Sequence, residues 1–322
     1  MYEAPPPLLL SRVAESAYWA GRYLERAEGT ARLVKAHADL VIDLPSDATV
    51  GWWPLLAVTG VGYDPDAPHD EIHEEDVVDE LVVAADNPSS ICSSVAAVHR
   101  NLRITRSVMP LDAAEVLIDL HHHVRDNAGQ AIHRRSRNQF LTSVIRGCQT
   151  LSGTLAETMC HDDAFCFFTV GRQLERADLT TRVLDVHAGI LHGRDDDALT
   201  PYHDLYWAST LRSVSALQAF RRRGQPASPA TTLSFLLRDP KCPRTVGSCL
   251  IEASRWLLEI PRHDQAMAAC AGVETLLQGV DVIDLLDGKL HDFVDELQLA
   301  LSDLHQQVES TWFEPAPAAL AG

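Results

Sequence analysis

The residues best suited to chemistry are written twice. Gly21-Arg22-Tyr23-Leu24-Glu25-Arg26-Ala27-Glu28 returns 150 positions later as Gly171-Arg172-Gln173-Leu174-Glu175-Arg176-Ala177-Asp178. The match runs without a gap over 21–37 and 171–187, with nine identical positions that include Thr30/Thr180, Arg32/Arg182 and His37/His187. Such a cluster has three chemical uses. Arg22, Arg26, Arg172 and Arg176 can clamp a carboxylate or phosphate, with Glu25 and Glu175 fixing the guanidinium planes. Glu25 and Glu175 can instead be a catalytic acid and base, if they share a pocket that raises one pKa. Or the charges neutralise one another in a structural network.

A helix must position them. At about 100° per residue, Ala20, Tyr23, Leu24, Ala27, Ala31 and Val34 form one arc and Arg22, Glu25, Arg26 and Arg32 the other. The second copy divides the same way. A solvated charged face is one reading, with Glu28–Arg32 and Asp178–Arg182 as simple i,i+4 pairs of about 0.2–0.5 kcal/mol each. Tyr18, Leu33, Phe168, Leu179 and Val183 argue for another, because they fall inside the charged arcs. A helix apolar on all sides is buried, and its charges must then pair. The period is too long for a solenoid. It predicts a duplicated helical half, or two helices meeting around a pseudo-two-fold, with both copies facing a common interior.

Other candidates are weaker. Glu115, Asp119 and His122 could share a helical face, but no Glu-x-x-His occurs to complete a carboxylate-bridged metal site, and none is expected. Glu157, Cys160 and His161 lack an orienting partner for nucleophilic chemistry. His37 and His187 read as local helix-end contacts. His133-Arg134-Arg135-Ser136-Arg137 and Arg221-Arg222-Arg223 are basic runs, read as solvated faces or docking points for an acidic partner. The acidic stretch within 60–75 reads as a solvated loop, with a cation site as the alternative. No phosphate-binding loop or dinucleotide fingerprint is present, so no cofactor is expected.

Composition narrows the field. The chain has 322 residues, 46% hydrophobic, with 27 basic and 45 acidic side chains and a net charge of −18. That balance argues against nucleic acid as the main partner. Only Lys35, Lys241 and Lys289 are lysines, so arginine supplies the other 24 of the 27 bases. Seven cysteines without a Cys-x-x-Cys point to reduced thiols and a cytoplasmic setting. No basic region precedes Pro5-Pro6-Pro7-Leu8-Leu9-Leu10, unlike a signal peptide. No apolar run reaches the ~18 residues of a membrane span.

Helical periodicity dominates. Helices are predicted from Ser11 to about Asp43, from Trp52, over 76–85, from the Asn87-Pro88-Ser89-Ser90 turn to near Met109, over 111–130, 132–159 and 163–191, and from Pro201 to Arg223. Others follow around Phe235, over 244–259, 262–278 and 283–312. The expected fold is all-α: one multi-helix domain over 1–322, with halves of roughly 8–130 and 131–315 and a loose tail at 316–322.

These residues resemble the bacterial alpha-E domain family. The doubled Gly-Arg-x-Leu-Glu-Arg-Ala-Glu/Asp pattern carries the resemblance, and four stretches extend it over nearly the whole chain. They are Ser11-Arg12-Val13-Ala14-Glu15-Ser16, Asn87-Pro88-Ser89-Ser90-Ile91, His99-Arg100-Asn101-Leu102-Arg103, and Phe235-Leu236-Leu237 with Pro243-Arg244-Thr245-Val246. His99 and Arg100 depart from the family's Arg and Glu, which marks a divergent member. The resemblance adds Asn101, Arg103 and Arg244 to the expected binding residues. It implies a setting of amide-bond formation and trimming, beside circularly permuted ATP-grasp ligases and transglutaminase-like peptidases. The expected role is a helical partner that docks the ligase or holds its peptide or metabolite substrate. An enzyme using Glu25 and Glu175 is the alternative.

Overall fold

The computed structural model describes residues 10–45, 48, 50–60, 72–192 and 200–314, and residues 190–192 and 200 by backbone alone. The helices are α1 (Ser11–Asp43), α2 (Trp53–Thr59), α3 (Glu74–Val82), α4 (Ile91–Ile104), α5 (Leu111–Asn127), α6 (Arg134–Thr158) and α7 (Asp163–His192) in the first part of the chain. There follow α8 (His203–Ser213), α9 (Leu217–Arg221), α10 (Pro229–Arg238), α11 (Val246–Leu257), α12 (Asp264–Gly279), the single turn α13 (Val282–Asp284) and α14 (Leu290–Val308). No strand occurs among the described residues.

Local chemistry sets several boundaries. Ser90 accepts a hydrogen bond from the Ser93 amide and starts α4, while Asn87 Oδ1 accepts from the Ser89 amide in the turn before it. Ser228 and Thr231 form a reciprocal capping box at α10, and Thr245 caps α11. The expected helix over 201–223 breaks into α8 and α9, because Ser215 adopts a left-handed φ of 61°. The expected helix over 283–312 is likewise interrupted at Gly288, whose φ of 96° suits glycine. The helix after Ser90 ends at Ile104 instead of near Met109. Most of the acidic loop, the 193–199 connection and the 315–322 tail lie outside the described residues.

Two long helices make the centre. α1 packs against α7, with α4, α6 and α8 also on α1 and α11 and α14 also on α7. Tyr18, Leu24, Leu33 and Val34 of α1 are all at most 1% exposed, and so are Glu25 and Glu28. A helix covered on every side explains why apolar residues fell inside its charged arc.

α1 and α7 run parallel. Gly21 lies against Phe168 and Gly29 against Leu179, and His37 is near His187, so contacts advance together along both helices close to the repeat's own offset. The motif glycines set the spacing. A Cβ on Gly21 would lie 2.1 Å from the Phe168 carbonyl oxygen, and one on Gly171 would lie 2.2 Å from the Tyr18 carbonyl oxygen. Backbone therefore touches backbone at two points related by the repeat.

Candidate functional site: a cross-paired arginine–glutamate network

Each copy of the motif neutralises the other. Arg22 Nε donates to Glu175 Oε2 at 2.7 Å, and Arg26 grips the same carboxylate through Nε at 2.5 Å and Nη2 at 3.0 Å. In the reverse direction Arg176 holds Glu25 through Nε at 2.9 Å and Nη2 at 2.6 Å, and Arg172 Nη2 adds a bond of 3.3 Å. Arg244, on the turn before α11, donates to Glu25 at 2.6 Å and to Glu28 at 2.7 Å. Two-point contacts of this kind are the stronger class of charged hydrogen bond. Arg176 Nη1 also reaches the Pro243 carbonyl at 3.0 Å, which ties the Pro243-Arg244 turn to α7.

Aromatic rings lie under the guanidiniums in matching places. Arg22 sits over Tyr18 and Trp19, Arg26 over Tyr23 and Arg172 over Phe168, at 5.2–5.9 Å from the ring centroids. Tyr18 and Phe168 correspond in the repeat. The resemblance ends at the hydroxyl: Tyr18 Oη pairs with His305 Nδ1 at 2.8 Å and accepts from Arg22 Nη1 at 3.3 Å.

Charge does not balance. Six guanidiniums (Arg22, Arg26, Arg32, Arg172, Arg176, Arg244) meet three carboxylates (Glu25, Glu28, Glu175), which leaves three positive charges over. Burial alone would raise the pKa of Glu175, but Arg22 and Arg26 outweigh it and hold it at about 2. Burial is likewise overcome at Glu25, where Arg176, Arg244 and Arg172 press the carboxyl well below the usual range. Burial pushes the Arg172 pKa down, with Glu25 opposing and Arg176 reinforcing, and its Nε is buried with no partner among the described residues. Arg172 is the least compensated member.

This arrangement bears on the acid–base alternative. An acid–base pair needs one carboxyl with a raised pKa, and both are lowered. Glu25 and Glu175 are also 1% and 5% exposed, with their oxygens occupied by guanidinium donors. The structure brings Arg22, Glu25, Arg26, Arg172, Glu175, Arg176 and Arg244 together and adds Glu28, which sequence reasoning left as half of a surface pair. The Glu28–Arg32 bridge exists at 2.7 Å, but Glu28 is also taken by Arg244. Tyr18 and His305 were missed as polar members, and of the two only Tyr18 had been noted, as an apolar residue inside the charged arc.

Asn101 and Arg103 do not join the network. α4 packs through Ile91, Val95, Val98 and Leu102, so Arg103 turns to solvent, and neither residue's side chain forms a hydrogen bond or ion pair among the described residues. His99 stacks on His121 with centroids 4.3 Å apart, and exposed Arg100 lines a separate cavity of about 590 Å³ with Tyr23 and Cys92. The Asn87-Pro88-Ser89-Ser90 stretch serves the α4 turn and cap.

The remaining candidates are placed as follows. Glu115, Asp119 and His122 are exposed on α5. His161 stacks on Phe165 and accepts or donates at the Ala156 carbonyl, while Cys160 is exposed. Arg137 departs from the solvated reading: it is 3% exposed, donates to the Ala131 and Ile132 carbonyls and pairs with Glu74 at 2.6 Å. Arg223 pairs with Asp239. His37 and His187 are buried in the interior rather than making local helix-end contacts. His187 Nδ1 pairs with Thr210 Oγ1 at 2.8 Å, and burial lowers the pKa of His37 to about 4 and of His187 to about 3.

Beside the network a cavity of about 430 Å³ opens between α7 and α14. Arg22, Asp178, Arg182, Asp295, Ser302 and His305 line it. Its mixed charges can meet both ends of a zwitterion, with Arg22 at the network's edge as the carboxylate-facing group.

Fold and site together define an all-helical protein in which two repeat-bearing helices exchange arginine–glutamate pairs. The chain belongs to the Alpha-E family, described as a predicted alpha-helical domain with a conserved ER motif, whose model matches residues 9–313. It is similar to the uncharacterised protein Mb2597 of Mycobacterium bovis, 25% identical over 255 residues that make up 73% of this chain and 28% of that one. The uncharacterised protein Rv2567 of Mycobacterium tuberculosis is 24% identical over the same shares. The match thus spans little more than a quarter of the length of these relatives. No solved structure matches the chain. Among the described residues no single helix is long and apolar enough to cross a membrane.

Proposed function

We propose that this chain is a non-catalytic helical partner in an amide-bond-forming system, docking an ATP-grasp ligase or holding the carboxylate-bearing peptide or metabolite that it modifies. The observation that carries the reading is the three-charge excess of guanidinium in a network that is largely buried, within a chain of net charge −18. Buried charge seeks compensation, and an incoming carboxylate or phosphate supplies it. The cavity at Arg22 offers an approach. The greater length of the mycobacterial relatives supports a module that works beside other chain. The ligase and a transglutaminase-like peptidase as partners rest on the family resemblance.

The test is co-purification of the chain with an ATP-grasp ligase, together with ligase turnover in its presence and absence. Ser302 is exposed on α14 and outside the ion pairs, so Ser302→Trp fills the cavity while leaving the network intact. The reading expects a complex or a changed ligase rate, and loss of peptide binding in the Ser302→Trp protein. Absence of any complex, with ligase turnover indifferent to the chain, sinks it.

A further inference from the structure

A second polar cavity, of about 440 Å³, lies where α1 and α6 meet the α8–α9 corner. Arg32, Lys35, Arg146 and Arg212 line it, and Asp39 is the one carboxylate among its walls. Four cations and one anion line a single space, against the negative charge of the chain as a whole, though Arg32 is also held by Glu28 and Arg212 stands near Asp43 outside these walls. Glu28 holds Arg32 at 2.7 Å and Lys35 donates to Asn138 Oδ1, but the other charge pairs of these cations are loose. Arg146 is exposed and forms no ion pair among the described residues. Lys35 Nζ stands 3.7 Å from Asp39, and Arg212 Nη1 stands 3.9 Å from Asp43, distances at which partly exposed pairs contribute little.

The rim adds a second observation. Ser215 holds a left-handed φ of 61° where the chain turns between α8 and α9, and its exposed side chain lines the same cavity. A non-glycine residue in that conformation is disfavoured and persists where the surroundings impose it. Here bonds from the Ser215 amide to the Arg212 carbonyl, 3.0 Å, and from the Ala216 amide to the Leu211 carbonyl, 2.7 Å, impose it. The corner therefore presents a hydroxyl among the four cations.

We propose that this cavity binds an oligophosphate, either free or as the phosphate chain of a nucleotide. A terminal phosphate carries about −1.5 to −2 at neutral pH and offers several acceptor oxygens, enough to engage Arg146, Lys35 and Arg212 at once. Forked guanidiniums and a compact ammonium together suit such a group. Arg32 joins the cavity to the central network, since Glu28 binds both Arg32 and Arg244. This site is distinct from the cavity at Arg22 and stands or falls apart from the ligase-partner reading.

Calorimetric titration at low salt with tripolyphosphate, ATP and citrate tests it. The natural chain is expected to bind tripolyphosphate. Arg146→Ala should weaken binding by about tenfold or more, while leaving the melting temperature without ligand within about 1 °C. Arg255→Ala, on the exposed face of α11, should bind as the natural chain does. ATP binding more tightly than tripolyphosphate assigns a nucleotide, the reverse order assigns free oligophosphate, and both support the site. No heat with either phosphate, undiminished affinity in Arg146→Ala, or citrate binding equal to tripolyphosphate overturns it.

Discussion

Glu25 is the residue on which most guanidiniums converge, three of them, and it is 1% exposed. Glu25→Ala leaves Arg172, Arg176 and Arg244 facing one another, and breaking a buried pair by removing one partner is destabilising by about 3–5 kcal/mol. Urea unfolding should show a loss of that size. Arg26→Ala should show a smaller one, because Arg26 is 22% exposed and Arg22 remains on Glu175. Equal losses would contradict the ranking. Glu25→Gln should also destabilise, since it keeps the shape and removes the charge.

Acid should act at two levels. His37 and His187 have folded pKa values of about 4 and about 3, below the ordinary 6.5, because burial disfavours the imidazolium. Below pH 6.5 the unfolded chain takes up protons that the folded chain refuses, so stability is full above that pH and declines beneath it. By pH 4 the loss is on the order of 3 kcal/mol per histidine. Glu175, ordinarily at 4.5 and held at about 2 against burial by Arg22 and Arg26, acts lower. Its contribution is present above pH 4.5 and is lost as pH falls toward 2. Urea midpoints across pH should begin to drop near 6.5, and the His37→Gln/His187→Gln protein should hold level until about 4.5. An unchanged onset in that double variant would show that the histidines carry no part of it.

Among the elements, the α1–α7 pair depends on its glycines. A methyl group at Gly21 or Gly171 would meet a carbonyl oxygen of the facing helix at 2.1 or 2.2 Å, and backbone cannot move aside as a side-chain tip can. Gly21→Ala must separate the helices and lengthen every cross-bond beyond it, despite alanine's better helix propensity. A loss of about 3 kcal/mol or more in thermal or urea unfolding is expected, by the overpacking that the clash imposes. Ala substitution at Gly153, which meets nothing within 4 Å, should by contrast be neutral or slightly stabilising. Should Gly21→Ala behave like Gly153→Ala, the close backbone contact is not what sets the spacing.

For the molecule as a whole, the same seam joins the two halves. α1 meets α7, and α7 in turn carries α11 and α14, so the central ion pairs link residues about 150 apart. We propose that the halves form one cooperative domain. Residues 10–130 and 131–314 produced separately should remain unfolded, because each would expose one side of the network and its apolar surround. Tryptophan fluorescence and far-UV circular dichroism should report one coincident unfolding transition for the intact chain. Two separated transitions, or a folded isolated half, would divide it.

Much was already legible in the residue pattern. The all-helical class, the span of α1 and the pairing of two copies follow from the 3.6-residue period, the Ser and Thr caps and the repeat of 21–37 at 171–187, all of which are local or self-comparing signals. The burial of the charges was legible too, from Tyr18 and Phe168 inside the polar arc. Tertiary structure alone decided which guanidinium meets which carboxylate, that Arg244 enters from 219 residues away, and that Arg103 does not enter at all. It also decided that both glutamates are held ionised, and that four cations share one cavity at the α8–α9 corner. The physical reason is common to these cases. Periodicity reports the direction in which a side chain leaves its own helix, whereas a charge's partners and pKa depend on what other helices bring within a few ångströms of it.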